Sequence, residues 1–467
     1  MFGDRQWGST SVTRKLLAIG MLAAGMLTGQ QPQPPPGGAQ EPSTESTKEY
    51  QGPTILSRDK SLIGERGGKL LDFRFYVDIM GAYDSGLTSV GTDASGNLAR
   101  YGSNYSVEGG VGVIGSREWR RDKVSLEYRG TGRHYTGNSF FDGTDQYLNL
   151  SYAHALSRRL TLDLKETLGS LTLSNGALSY AQLTNTDLIA VPANELFDNR
   201  TQFVQSRVNL NWQKSARLSF SVGGQGFIVK RRSHFLAGVT GGAAQGDVAY
   251  RITRRQTISL SYAYTSYNYT RTFGDSNLSS IAGGWSIGLG RVWNLGLQGG
   301  VIRVETRGLQ QVELDPAIAA IVGQGSVVTT YHRIQLVPLI EGQLVRRFPR
   351  SMLTLAYTVG ISPGNGIYLT SRQNVGSASY SYTGGRRFTV GGTASYGQLS
   401  SVGQGIGKYT NLQGGFGSTY KLFNATHLEF RYDYRHYTTQ NATYLKNSQR
   451  VSMGIAFSPG ETPLSLW

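Results

Sequence analysis

The sequence contains no cysteine among its 467 residues. This absence excludes disulfide scaffolds, thiolate metal sites, iron–sulfur clusters, cysteine nucleophiles and a lipid-modified N-terminal cysteine. Charged residues are also scarce, at 16% of the chain, against roughly 25% in an average soluble domain. The composition is therefore atypical of a soluble enzyme before any motif is considered.

Long apolar runs are missing as well, apart from one short run near the N-terminus. Residues 16–27 are apolar and follow the basic pair Arg14 and Lys15. The run is too short for a membrane helix, which needs roughly 20 residues, but it is typical of a secretory signal peptide. We therefore predict a signal peptide over residues 1–30, with its cleavage point left open.

Proline is rare except in one segment. Residues 31–67 hold six of the chain's 13 prolines, together with Gln, Ser, Thr and Gly. This composition predicts a disordered linker. The segment is too short and too rich in proline for the folded plug of an active importer.

From residue 68 to residue 467 the sequence alternates with a period of two. In residues 428–435, for example, apolar or aromatic side chains at even positions alternate with charged ones at odd positions. Such alternation predicts β-strands with one apolar and one polar face. We therefore treat residues 68–467 as one all-β domain.

Short polar turns alternate with longer connections along this domain. The turns lie at 116–122, 157–159, 213–216, 253–255, 291–293, 346–350, 384–386 and 421–425, and the clearest long connections at 84–102, 171–200, 231–242 and 307–329. Eight pairs of strands, a leading strand at about 69–83 and a closing strand at about 446–457 make about 18 strands, with 16 as the lower count.

An even strand number with short turns at one end and long loops at the other resembles a bacterial outer-membrane β-barrel of the porin-like kind. Lipid offers no hydrogen-bond partners, so a sheet spans a membrane only as a closed barrel. The resemblance implies a closed antiparallel transmembrane barrel in the outer membrane of a Gram-negative cell. Aromatic girdles are expected at both rims: Trp119, Trp212 and Trp293 beside short turns, and Tyr267, Tyr269 and Tyr437 toward the long loops.

Barrels of this kind typically end on an aromatic residue that the assembly machinery recognises. Two residues are candidates here: Phe457, at the end of the closing strand, and Trp467, the last residue of the chain.

Two positions disturb the alternation. Pro338 lies inside a strand, where it removes a ladder hydrogen bond. The apolar parity also changes on either side of Gly299 and Gly300. A β-bulge is predicted at each position.

No motif indicates catalysis. Residues 110–115 match G-x-G-x-x-G, but a strand and a turn surround them instead of the helix that a dinucleotide site needs. The six histidines are dispersed, without metal-ligand spacing. We therefore predict no enzyme, no catalytic residue, no metal site and no cofactor.

The net charge of +16 has two interpretations. In the favoured one, much of the charge belongs to solvated arginine pairs in the short turns, such as those at 120–121 and 254–255, and in the other it belongs to arginines on the polar parity of the strands. Nucleic-acid binding is disfavoured, because the arginines form no single aromatic-interleaved surface. In a wide barrel, charges on the polar parity line an aqueous channel and set its selectivity. Mutual pairing across strands is the competing explanation. The pore-lining candidates are Arg74, Arg129, Arg133, Arg207, Arg333, Arg431, Arg435, Glu429 and Asp433.

A long loop is expected to constrict the channel. The connection 171–200 carries Asp187, Glu195 and Asp198, and by position it resembles the third loop of general porins. The connection 307–329 contains Asp315 before Pro316 and an apolar stretch, which predicts a short helix.

These features predict an outer-membrane channel for passive diffusion of small hydrophilic solutes, with anion preference left open. The alternatives are an export barrel for an acidic exopolysaccharide and a non-conducting structural or adhesive barrel. The expected partners are outer-membrane lipid, lipopolysaccharide, the assembly machinery and the solute or polysaccharide itself. Whether the chain forms a homo-oligomer is left open.

Overall fold

The computed structural model describes residues 71–85, 88–92, 98–100, 103–137, 142–171, 200–233, 236–313, 326–382, 387–403, 407–423, 425–439 and 445–459. The predicted signal peptide (1–30) and linker (31–67) lie outside these ranges. Among the described residues, no helix has the length and apolar character to cross a membrane.

The described residues form twenty β-strands. They are β1 (Leu71–Ser85), β2 (Thr88–Thr92), β3 (Leu98–Arg100), β4 (Asn104–Glu118), β5 (Asp122–Tyr135), β6 (Gly143–Ala155), β7 (Leu160–Leu171), β8 (Thr201–Gln213), β9 (Leu218–Arg231), β10 (Gly238–Thr253), β11 (Gln256–Thr270), β12 (Gly274–Leu289), β13 (Trp293–Glu313), β14 (Ser326–Arg347), β15 (Ser351–Ser362), β16 (Ser371–Tyr382), β17 (Phe388–Ser401), β18 (Tyr409–Lys421), β19 (Thr426–Thr439) and β20 (Leu445–Phe457).

Eighteen of these strands close into one antiparallel barrel. Each of β4 to β19 pairs with the next strand along the chain, and β1 pairs with both β4 and β20. Strands β2 and β3 form a separate hairpin between β1 and β4. The predicted closed antiparallel barrel of 18 strands is therefore confirmed.

The two faces of the wall differ in chemistry. Side chains such as Ile79, Val107 and Leu260 are exposed on the outside, whereas Asp78, Ser106 and Asn209 are buried on the inside. The side-chain period of two places every second residue on each face. An apolar exterior around a closed hydrogen-bonded ladder is the arrangement that a lipid bilayer requires.

The short turns lie together at one end of the barrel. Trp212 stacks on Phe220, and the two other turn tryptophans pack against arginines. The guanidinium carbon of Arg117 lies 4.9 Å from the ring centre of Trp119. That of Arg346 lies 4.6 Å from Trp293 and 4.2 Å from Phe348. Cations over aromatic faces are well suited to a membrane–water interface.

Three tyrosines predicted for a girdle at the other end do not face outward, so that prediction was wrong for Tyr267, Tyr269 and Tyr437. All three are buried on the inner face, and Tyr267 is only 1% exposed. They pack inside the barrel instead of facing lipid headgroups.

Both ends of the predicted loop 307–329 are strand. β13 continues to Glu313 and β14 begins at Ser326, with pairing up to Glu313 and Ser326. Asp315 and its predicted helix lie outside the described residues.

The bulge predicted at Gly299 and Gly300 was wrong. β13 pairs with β12 and β14 through both glycines without a shift in register. The parity changes in the sequence because Ile302 and Val304 point inward, where they pack in one cluster with Leu369.

The bulge predicted at Pro338 was also wrong. Pro338 pairs in regular register with Val301 of β13. On its other side, pairing between β14 and β15 ends at Ile340 and Val359. Pro338 therefore lies at a local strand edge, where proline is tolerated.

The last described strand ends on Phe457. This residue pairs with Val77 of β1 and with Thr426 of β19, and its ring centre lies 6.5 Å from that of Phe75. Trp467 lies outside the described residues.

We predict that Phe457 is the residue read during assembly, because it ends the strand that closes the barrel. Phe457→Ala should lower the amount of folded protein in the outer membrane, measured as the heat-modifiable band in gels. Trp467→Ala serves as the comparison and should leave that amount unchanged. The opposite ranking of the two variants would contradict the prediction.

Candidate functional site

The connection between β15 and β16 folds into the barrel. We call residues 363–370 the lumen loop. Its side chains are buried, including Asn365 at 1% exposure and Tyr368 at 4%. Connecting segments normally lie on the surface, because their backbone groups need water.

Two glycines and an asparagine set the shape of the lumen loop. Gly364 and Gly366 have φ values of 76° and 93°, which glycine adopts without steric cost. A Cβ on Gly364 would lie 1.6 Å from the carbonyl oxygen of Tyr368. The Oδ1 atom of Asn365 accepts hydrogen bonds from the N–H groups of Ile367 at 3.2 Å and Tyr368 at 3.0 Å.

One side of the lumen loop packs on the wall formed by β8 to β14. The carbonyl of Gly366 accepts a hydrogen bond of 3.0 Å from the N–H of Ala237. Leu369 joins an apolar cluster built from inward side chains of this wall and from Val402, which follows β17. Its buried members are Phe203, Phe227, Val229, Val239, Tyr267, Tyr269, Leu278, Ile302, Val304, Val337, Leu369 and Val402.

A chain of buried hydroxyl groups fixes the end of the loop. The hydroxyls of Tyr269 and Thr370 lie 2.8 Å apart. The hydroxyls of Ser276 and Thr370 are also hydrogen-bonded, and Ser276 donates to Thr306 over 2.7 Å. Because buried polar groups are costly unless satisfied, this network holds the loop against the wall.

The other side of the loop reaches β18 and β19. The ring centre of Tyr368 lies 6.2 Å from that of Tyr409, which stacks on Tyr437 at 6.0 Å. Burial raises the pKa of the Tyr368 hydroxyl. β9 and β18 are nine positions apart in the ring of 18 strands, so the loop contacts opposite sides of the lumen.

Sequence reasoning did not find the lumen loop. Two signals were present: residues 363–370 carry no charge, and they include the apolar run Ile367, Tyr368 and Leu369. An exposed loop would not favour such a run. The predicted constriction residues Asp187, Glu195 and Asp198 lie outside the described part of the chain.

A network of buried ion pairs lies on the inner face of β1, β4, β5, β6 and β20. Arg133, only 7% exposed, pairs with Glu108 and lies 3.7 Å from Asp145. Arg450 pairs with the same Glu108 and lies 3.5 Å from Asp84. Arg450 was not among the sequence candidates, because its partners lie more than 300 residues away along the chain.

Two further candidates pair with neighbours on their own strands. Arg431 contacts Asp433 through Nε at 2.6 Å and through Nη2 at 2.8 Å. Arg129 lies 2.5 Å from Glu127. The pairing explanation that the sequence left open therefore applies to Arg129, Arg133 and Arg431.

The remaining candidates also occupy inner-face positions. Arg207 donates to the amide oxygen of Gln225 over 3.0 Å, and Arg333 lies over the ring of Tyr331 at 5.7 Å. Glu429 and Arg435 are buried, and Arg74 is half-buried.

Serine, threonine and glycine line the wall beside these charges. The inner-face positions of β16, β17 and β18 include Ser377, Ser379, Ser381, Gly391, Thr393, Ser395, Gly415 and Gly417. A cleft lined by Thr393, Gln413, Arg431, Asp433 and Arg435 lies next to them. Small side chains leave space on this side of the lumen, opposite the wall on which Leu369 packs.

Comparisons with known proteins gave matches among solved structures only. No protein-family profile matches the chain, and no curated protein matches it. The chain is similar to OccK2 (OpdF) of Pseudomonas aeruginosa in complex with glucuronate (11% identity, 83% of this chain and 98% of that chain, TM-score 0.42). It is also similar to a BenF-like porin of Pseudomonas fluorescens Pf-5 (9%, 83% and 98%, 0.41) and to OccK5 (OpdH) of Pseudomonas aeruginosa (12%, 83% and 98%, 0.38).

Identities this low leave the function to be argued from the residues of this chain. The architecture follows from the strand pairing itself: 18 antiparallel strands close into one wall, with apolar side chains outside and polar ones inside. The chain is therefore a closed antiparallel β-barrel of 18 strands, with an apolar exterior of the kind that a lipid bilayer requires.

Proposed function

We propose that the barrel is a passive channel for small hydrophilic solutes. The observation that carries this proposal is the polar inner wall of β16 to β20, which faces the lumen beside the lumen loop. Hydroxyl, amide and paired charged groups on this wall can replace part of the hydration of a passing solute.

The lumen loop favours small solutes over polymers. Residues 363–370 contact β9–β10 on one side and β18–β19 on the other. An extended polysaccharide would need an unobstructed lumen. The export of an acidic polysaccharide is therefore the weaker alternative.

We infer a modest preference for anions, weaker than the net charge suggests. Lys165 and Arg207 are cross-strand partners on the inner face, which places two cations side by side. The ion pairs of Arg129, Arg133 and Arg431 with carboxylates reduce the field of those arginines in the lumen.

Single-channel recording in planar bilayers under a salt gradient tests the proposal. We expect steady conductance and a reversal potential that indicates weak anion preference. The absence of any conductance would contradict the channel and leave the structural or adhesive barrel.

Substitutions in the ion pair of Arg431 and Asp433 should move the reversal potential in opposite directions. Arg431→Glu should move the reversal potential toward cations, because it removes a cation and places a second acid beside Asp433. Asp433→Asn should move it toward anions, because it leaves the guanidinium of Arg431 uncompensated. The measurement is the reversal potential at a fixed salt gradient.

Arg121→Glu is the matched control, since Arg121 lies in an exposed turn between β4 and β5. We expect a smaller shift for this variant, because salt screens exposed charges. Equal shifts from Arg121→Glu and Arg431→Glu would show that Arg431 does not face the ion path.

A further inference from the structure

The outer face of β13 changes from apolar to charged at one point along the strand. Val301 is outward and apolar, and the next outward residues are Arg303, Glu305 and Arg307. Arg303 lies ten residues beyond Trp293, which begins the strand at the turn end. At roughly 3.4 Å per residue and a tilt of about 40°, this separation corresponds to a rise of roughly 26 Å, against an apolar band about 25 Å tall. The charged residues therefore begin at the upper border of the lipid.

The neighbouring strands change at the same height. Val301 pairs with Ile281 of β12, which pairs with Tyr262 of β11, and all three side chains are exposed. The next cross-strand pairs of β13 and β12 are polar on both strands: Arg303 with Ser279, Glu305 with Asn277 and Arg307 with Asp275. Because adjacent strands share this border, it marks the level at which headgroups replace acyl chains.

We call Arg303, Glu305, Arg307 and His332 the outer cluster. The carboxylate of Glu305 lies 3.0 Å from Nε2 of His332, 3.3 Å from Nη2 of Arg303 and 3.9 Å from Nη2 of Arg307. The side chain of Glu305 is recessed, at 23% exposure, whereas those of Arg303, Arg307 and His332 are 52%, 55% and 49% exposed. Glu305 thus orders nitrogen groups that project beyond it.

The projecting groups suit an anion that binds at short range. A guanidinium has five N–H donors in a planar fork, and phosphate accepts two of them at once. Glu305 and the half-buried Asp275 balance the two arginines in formal charge, so no general attraction for anions is expected. The ligand must instead bring an anionic group into direct contact with the exposed guanidinium groups.

The β14 side of the outer cluster is apolar. Leu336 pairs with Arg303, and Ile334 pairs with Glu305. Their side chains are 73% and 53% exposed. An inorganic anion gains nothing from such neighbours, whereas a lipid places a phosphate and an acyl chain side by side. The mixed surface therefore favours an amphiphile over a free phosphate ion.

We propose that the outer cluster is a binding site for a phosphate group of the outer-leaflet lipid, lipopolysaccharide. The cluster lies at the end of the barrel opposite the short turns, which is the extracellular end in outer-membrane barrels. Arg303 and Arg307 donate to the phosphate oxygens. An acyl chain of the same molecule lies against Leu336 and Ile334.

Native mass spectrometry of the full-length protein in detergent tests the site. The probes are diphosphoryl lipid A and the same lipid with both phosphates removed. EDTA is present, so that no divalent cation bridges a phosphate to the carboxylates. The variant is Arg303→Gln with Arg307→Gln. The matched control, Arg254→Gln with Arg255→Gln, removes the same charge from an exposed turn at the opposite end.

We expect the parent protein and the control to bind diphosphoryl lipid A equally well. Arg303→Gln with Arg307→Gln should bind it about tenfold more weakly or worse, because charge-assisted hydrogen bonds to phosphate are lost. The dephosphorylated lipid should bind the parent protein as weakly as diphosphoryl lipid A binds this variant. The comparison of the two lipids on the parent protein decides the matter even if the variant fails to fold.

Four results would overturn the proposal: equal binding of both lipids by the parent protein, unchanged binding by a folded variant, an equal loss in the control, and no binding in EDTA. Displacement of the lipid by an excess of inorganic phosphate would also overturn it, because the site would then be a simple anion site. Lipid binding is measured without conductance, so a barrel that conducts no ions contradicts the channel but not this site.

Discussion

Gly364→Ala is expected to raise the single-channel conductance of the barrel several-fold. Gly364 has a φ of 76°, where an alanine is strained by about 1 kcal/mol. Its Cβ would also lie 1.6 Å from the carbonyl oxygen of Tyr368 and 2.2 Å from that of Leu369. Because these atoms belong to the backbone, no rotamer change relieves the contact. The lumen loop must leave its place, and the lumen widens.

The control is Gly296→Ala. Gly296 lies on β13, and a Cβ there would meet no atom within 4 Å. We expect its conductance to match that of the parent protein. Heat-modifiable migration in gels should show that both variants fold, because the ladder of the wall does not pass through the lumen loop. An unchanged conductance in a folded Gly364→Ala variant would mean that the lumen loop does not constrict the channel.

The architecture of the wall could be predicted because lipid imposes it. A strand between lipid and water must alternate, and the alternation around Glu429, Arg431 and Asp433 is therefore visible without any structure. Turns and loops of different length then set the strand number. The inner-face placement of these three residues follows from parity alone.

The contents of the lumen could not be predicted in the same way. Ile302 and Val304 are apolar but face inward, since Leu369 of the lumen loop covers them. A change of apolar parity has two explanations that the sequence does not separate. The apolar residue faces inward and is covered by a loop, or a β-bulge before it has turned it outward. Tyr267 and Tyr437 were predicted in a girdle from their position near the long loops alone, although their odd numbers share the inward parity of β11 and β19, and both are buried inside.

The ion-pair network was beyond prediction for a different reason. Arg450 lies on β20, and its partners Asp84 and Glu108 lie on β1 and β4. These strands become neighbours only when the last strand closes on the first. Sequence separation gives no indication of such a contact, whereas Arg431 and Asp433, two residues apart on one strand, could be placed on the same face.

Arg450 joins the last strand of the barrel to its first two strands, β1 and β4. We therefore expect its substitution to have the largest effect on stability. Arg450→Met should destabilise the folded barrel by about 3–5 kcal/mol, because removing one partner of a buried ion pair leaves uncompensated buried charges. Asp84 would keep its hydrogen bond from the Tyr135 hydroxyl at 2.9 Å, and Glu108 would keep Arg133. Neither contact replaces the guanidinium that bridges both carboxylates.

The free energy of unfolding in urea, measured on protein reconstituted in vesicles, tests this prediction. Arg303→Met is the matched control, since Arg303 also pairs with a glutamate, Glu305 at 3.3 Å, but its side chain is 52% exposed. Exposed pairs of this kind contribute about 0–1 kcal/mol. Burial is then the variable that separates the two arginines. Equal losses for the two variants would show that the network around Glu108 adds nothing to closure of the barrel beyond an ordinary surface pair.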